Sequence, residues 1–136
     1  TPPHHLADRD LHAPLEIRHI RGRFGIFSRA SAQPGGRVQV WMRHRRRSND
    51  RVALAFMSDF IPSTVGNAIG VRAGGNSLDN NIRYCGHAET DWVLGDFAIT
   101  AVVGGIGHGQ AALFAQDGTL LATASQTFKL RIIPPG

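Results

Sequence analysis

The chain has 136 residues, enough for one domain with a modest core, and its 42% hydrophobic and 18% charged content is that of a globular protein. Formal net charge is +5, carried almost wholly by arginine, since Lys129 is the only lysine; such a surface suits a polyanion or a phosphorylated ligand. No apolar run approaches the roughly 20 residues that span a bilayer, and the single cysteine, Cys85, excludes an internal disulfide or a cysteine metal cluster and fits a reducing, cytoplasmic compartment.

In chain order, residues 1–14, TPPHHLADRDLHAP, lack periodicity and read as an extended N-terminal arm or linker. The adjacent His4 and His5 lack the further ligands that a metal site needs. Residues 15–136 read as a single domain. LEIRHI (15–20) alternates apolar and polar side chains as a strand does, Phe24, Ile26 and Phe27 are available for packing, and QPGG (33–36) is a turn. RVQVWMRH (37–44) is a second strand with Val38, Val40 and Met42 on its apolar face. The following RHRRR (43–47) is a charge run. It could pair with phosphates, but it lacks the interleaved aromatics or recognition motif of a nucleic-acid binder and equally suits a solvated loop. Nucleic acid is therefore not an expected partner.

Ser48, Asn49 and Asp50 can cap a helix starting near Arg51 and running through RVALAFMSDFIPSTVGNAIG (51–70), with a kink or restart at Pro62. Val52, Ala55, Phe56, Ser63 and Ile69 define one stripe of that helix, and Asp59 falls in it. An acid there either accepts local hydrogen bonds or serves as a general base tuned by partial burial.

VRAGGN (71–76) reads as a loop, and strands follow. SLDNNIRY (77–84) alternates Ser77, Asp79, Asn81 and Arg83 against Leu78, Asn80, Ile82 and Tyr84. DWVLGDFAITAVV (91–103) is a long strand in which Gly95 marks a bulge or bend. GGIGHG (104–109) breaks the pattern without a helix to make it a phosphate loop. Residues 110–116 form another strand, Asp117-Gly118 a hairpin turn, and residues 120–133 the last strand. In that last strand Gln126 is the one polar member of the row Leu120, Ala122, Ala124, Gln126, Phe128, Leu130, Ile132. A core-facing amide there and an acid on the helix, far apart in the chain, are best read as parts of one site. The order of elements is strand, strand, helix, then strands, which buries its apolar faces most economically as an α+β fold.

MSDF (57–60), NSLDN (76–80), DGTLLATASQ (117–126) and the upstream QVWMR (39–43) together resemble the C-terminal half of the acyl-CoA thioesterase II family, across about residues 15–131. That resemblance implies a hotdog fold, an antiparallel sheet wrapped around one long central helix. Members usually carry two such domains, so a second hotdog is implied as partner, in a homodimer or as an N-terminal half that a chain starting at Thr1 lacks. The resemblance assigns the catalytic positions to Asp59, Ser77 and Gln126, which hold and activate a water, with no cofactor beyond the CoA of the substrate and no metal. The stretch DNNIRYCGHAE (79–89) departs from better-known relatives, in which a His follows the SLD segment. The implied function is hydrolysis of an acyl-CoA to free acid and CoA, with Arg43, Arg45 and Arg72 as candidates for the CoA phosphates. The alternative is a non-catalytic hotdog that binds acyl-CoA or scaffolds an assembly. Enoyl-thioester hydration would require an Asp/His pair, and His87 and His108 stand in no such motif.

Overall fold

The computed structural model describes residues 15–22, 37–45, 49–65, 69 and 73–132. The N-terminal arm, the Phe24–Phe27 stretch, the QPGG turn, part of the arginine run and Arg72 lie outside the described residues. Six antiparallel strands form one sheet: β1 (Leu15–Arg21), β2 (Val38–His44), β3 (Ala73–Tyr84), β4 (Val93–Val103), β5 (Ile106–Ala115) and β6 (Leu120–Ile132), in the order β1-β2-β4-β5-β6-β3. The helix α1 (Arg51–Ser58) and a short 3-10 turn (Ile61–Thr64) pack on one face.

Asp50 starts α1 by accepting a 2.9 Å hydrogen bond from the Ala53 amide, a cap that satisfies one otherwise orphaned donor. Pro62 sits near the start of the 3-10 turn, where its missing N–H costs nothing, so the helix is interrupted there as its sequence predicts. The buried stripe differs from the one expected. Ala53, Leu54, Met57 and Ser58 face the sheet, while Val52 is 59% exposed and Phe56 36%. With only eight residues in α1, Phe60 and Ile61 in the next turn extend the buried side, and the Val52/Phe56/Asp59 stripe turns outward.

The strands follow their period of two where pairing is regular. Val38, Val40 and Met42 of β2, Phe97 and Ile99 of β4, Leu113 of β5 and Ala122, Ala124 and Phe128 of β6 meet Leu54, Met57 and Ile61 in one core. Three details depart from simple alternation. Gly95 pairs in register with Val40 and Leu113, so it marks no bulge; a Cβ there would come within 2.6 Å of Met42 and Phe97, and the residue is small to admit those side chains. The β4 irregularity falls instead between Ile99 and Ala101. GGIGHG is not a break either: Gly104 and Gly105, both at positive φ, make a two-residue hairpin turn, and β5 begins at Ile106. In β6 a register shift lies opposite Leu113/Phe114, so Leu121 is buried while Leu120 is 36% exposed.

The fourth departure shapes the site. β3 starts at Ala73, inside the stretch expected to be a loop, and pairs with β6 to form one edge of the sheet. Ser77 lies opposite Phe128 and Asp79 opposite Thr127, so Leu78 is an extra, unpaired residue and is 60% exposed. This bulge reverses the alternation. Ser77 and Asn80 therefore share the helix face, and Asp79 turns to the other side, where its carboxylate accepts a 2.8 Å bond from the Thr127 amide.

Candidate active site

Three separate elements converge at the β3 edge. Gln126 enters from β6, facing the helix, and is 1% exposed. Its Nε2 donates to the Ser77 hydroxyl. Its Oε1 is buried and has no hydrogen-bond partner among the described residues. Asn80 stands directly across from Gln126 on β3, which places the two Cα atoms about 5 Å apart. Asp59 comes from the C-terminal end of α1, where it is the capping residue and its amide bonds the Phe56 carbonyl at 3.2 Å. The Asn80 side-chain amide donates to the Asp59 carboxylate.

The environment of Asp59 is mixed. The residue as a whole is exposed, yet packing over β3 removes water from its carboxyl group and raises its pKa above the ordinary carboxylate value. A carboxylate made more basic in this way, beside a hydroxyl and a buried amide, can accept a proton from a water. Because Gln126 donates to Ser77, the hydroxyl proton is free to point outward toward a water or a carbonyl oxygen. Among the described residues no group of His, Cys, Asp and Glu could hold a metal ion.

The structure thus brings Ser77 and Gln126 into contact and links Asp59 to them through Asn80, which stands across from Gln126. Asn80 joins them, and the sequence held a signal for it: like Gln126, it is the polar member of an otherwise apolar row with Leu78, Ile82 and Tyr84. Arg43 and Arg45 fall elsewhere. Arg43 bonds Asp91 at 2.7 Å and Glu16 at 2.9 Å and lies 4.4 Å above the Trp92 ring. Arg45 donates to the Leu15 carbonyl at 3.1 Å. Both belong to the β1 side of the sheet. β2 and β3 are four strand spacings apart, about 19 Å. A groove of about 470 Å³, lined by Arg37, Asp96, Asn81, Arg83, Gln110 and Ser125 among others, opens on the outer face of the sheet, away from Asp59.

A six-stranded antiparallel sheet packed on one helix among the described residues is the architecture of a hotdog fold. The chain belongs to the family described as acyl-CoA thioesterase C-terminal domain, which it matches over residues 1–129. A candidate thioesterase of Novosphingobium aromaticivorans DSM 12444 is 35% identical and superposes with a TM-score of 0.72, covering 90% of this chain and 45% of that one. The acyl-CoA thioesterase II TesB2 of Mycobacterium marinum is 27% identical, with a TM-score of 0.65 over 90% of this chain and 51% of its own. A hypothetical thioesterase of Streptococcus pneumoniae, solved with coenzyme A, shares the fold at 15% identity, a TM-score of 0.70 and 99% coverage of its length. The chain spans about half the length of the first two. No curated protein matches it.

Proposed function

We propose that the chain carries the hydrolytic site of an acyl-CoA thioesterase, with Asp59, Ser77 and Gln126 as its catalytic residues. The observation that supports this reading best is the gathering of these residues from α1, β3 and β6, in which Gln126 donates to Ser77, Asn80 across from Gln126 donates to Asp59, and the buried Gln126 amide oxygen has no partner among the described residues. A buried amide of that kind costs stability, and a fold retains it more readily when it has work to do.

In the proposed reaction a water lies between the Asp59 carboxylate and the Ser77 hydroxyl. Asp59 takes one of its protons as the oxygen attacks the thioester carbonyl. The tetrahedral intermediate collapses with cleavage of the carbon–sulfur bond, and the departing CoA sulfur recovers the proton from Asp59. The products are free acid and CoA. Gln126 fixes Ser77 and keeps the hydroxyl proton directed at the reacting oxygen.

Asp59, Ser77, Val52 and Phe56 are all exposed in the single domain, and β3 is an open sheet edge. A second hotdog packed against this side, from another copy or another part of a longer chain, would cover them and enclose the acyl group. The exposed free thiol of Cys85 fits a cytoplasmic setting, and no helix among the described residues is long and apolar enough to cross a membrane. The test is thiol release from acyl-CoAs of short to long chain, with sedimentation to record the assembly state. Release that collapses in Asp59→Asn supports the reading. Equal background release from both proteins, in a preparation that is dimeric, would replace it with acyl-CoA binding without hydrolysis.

A further inference from the structure

Asn80 has no part in the water-activating set just described, yet it is the residue that touches Asp59. We propose that Asn80 is a positioning residue for Asp59, and that the bulge at Leu78 exists to let one strand orient both halves of the site: Ser77 holds Gln126, and Asn80 holds Asp59. The inference rests on the thioesterase reading for its catalytic meaning, but its geometry stands apart from that reading.

Residues three apart on a regular strand point to opposite faces. Ser77 and Asn80 are three apart, so without the extra residue at Leu78 only one of them could face the helix. The bulge puts both there, opposite Phe128 and Gln126 respectively. Each then bonds a partner from a different element, Ser77 to Gln126 and Asn80 to Asp59. Asp59 has a short, rotatable side chain at a helix end, and the Asn80 bond fixes which way its oxygens point.

The Asn80 amide is also a neutral donor aimed at an anion. Its N–H favours the charged form of Asp59 and works against the burial that raises the carboxyl. Among the described residues, the charged groups on neighbouring elements lie elsewhere: Arg83 of β3 lines the groove on the outer face, and Arg131 of β6 is exposed on the row opposite that of Gln126. On α1, Arg51 lies 5.1 Å over the Tyr84 ring. On β3, Asp79 accepts from the Thr127 amide across the sheet, and on β5, His108 Nδ1 contacts the Thr127 hydroxyl at 2.8 Å. Lys129 of β6 is exposed beyond Phe128 on the opposite row. Asn80 is thus the described side chain that donates to the Asp59 carboxylate, and it is placed to set that group's proton affinity.

The experiment is a carbon-detected NMR titration of the Asp59 carboxyl in the full chain, its Asn80→Ala variant and the isosteric Asn80→Asp variant, with pH profiles of kcat/KM beside it. Removing the donor should raise the Asp59 midpoint by about one pH unit. The Asp substitution should raise it further, because a second carboxylate then faces the first. The acid limb of kcat/KM should climb in the same order. A midpoint unchanged in both variants would overturn the proposal, even if activity fell, since a structural role alone predicts that result. Should Asn80→Asp not fold, Asn80→Ser takes its place as the second variant and should leave the midpoint nearer to that of the parent than Ala does. If the parent hydrolyses nothing while the NMR midpoints move as stated, the thioesterase reading fails and the positioning role stands.

Discussion

Replacing Gln126 with methionine should make the protein more stable and less active at once. Met has nearly the volume and length of Gln but no polar atoms that require partners. In the parent, the buried Oε1 lacks a partner among the described residues, a condition worth about 1–3 kcal/mol of destabilisation. Against this, the bond from Nε2 to Ser77 contributes about 0.5–1.5 kcal/mol. Ser77 is exposed and can turn to water when the amide is gone, so the substitution leaves no new buried orphan. The balance favours Gln126→Met by about 1 kcal/mol, or about 3–5 °C in Tm for a domain of this size. Urea unfolding followed by circular dichroism gives the free energy, and thiol release from acyl-CoA gives the activity, which should fall at least a hundredfold, about the effect of losing one preorganised catalytic donor. A variant less stable than the parent by about 1 kcal/mol or more would refute the reasoning, because Oε1 would then have to be well satisfied.

Asp59→Asn should abolish hydrolysis and also stabilise the fold, in a pH-dependent manner. The carboxyl has a folded pKa above its unfolded one, so the folded parent holds its proton longer than the unfolded chain does. Its contribution is most favourable below the unfolded pKa and is lost as pH rises through the folded value. The advantage of the variant in thermal melts should accordingly be near zero in acid and grow toward neutrality; a constant offset would contradict this. Gly107→Ala should destabilise by about 1–3 kcal/mol, because a Cβ there would lie 2.4 Å from two carbons of the Phe128 ring, which is wholly buried and cannot swing away; denaturant midpoints measure it. Gly75→Ala strikes the same ring from the other neighbouring strand, at 2.2 Å, so the double variant should lose less than the sum of the two losses. Arg43→Ala should leave KM for acyl-CoA unchanged and loosen the β1 edge, seen as faster amide exchange there, since Arg43 ties Glu16, Asp91 and Trp92 rather than a ligand.

Much of the architecture could be read from the chain because strands and turns announce themselves locally. Val38, Val40 and Met42 alternate as they pack, Asp50 caps where it should, and Asp117-Gly118 turns, with Gly118 at φ 91° and Asp117 accepting from the Thr119 amide at 2.9 Å. Gln126 was legible for the same reason: one amide in an apolar row is visible to a period of two. What could not be read was phase. A bulge carries no residue signature of its own, so nothing in SLDNN tells that Leu78 is skipped and that Ser77 and Asn80 end on one face. The helix stripe failed for a related cause. Several phases fit an apolar segment as rich as RVALAFMSDF, and the sheet, absent from any local window, selected the one that buries Ala53, Leu54 and Met57. Asp59 reaches Asn80 because of where the helix ends, not because of a hydrophobic stripe.

The aromatic residues that absorb and emit in the near ultraviolet are divided between the two margins of the sheet. Both tryptophans lie at the β1 side: Trp41 on β2, paired with Arg18 and Leu94, and Trp92, whose ring centroid lies 5.1 Å from the Arg18 guanidinium and 4.4 Å from that of Arg43. The sole tyrosine, Tyr84, lies on β3, its hydroxyl 2.8 Å from the Arg51 carbonyl. Excitation at the red edge of the spectrum therefore illuminates the tryptophan margin only, whereas the tyrosine margin is followed by the tyrosine contribution to difference absorbance at shorter wavelength. The protein carries two optical reporters, one on the margin that holds Asp59's partners and one on the margin that does not. Loosening of the margin beside the site can be watched while the tryptophan signal stays dark to it, and a single curve traced by both would mean that the sheet opens as one unit.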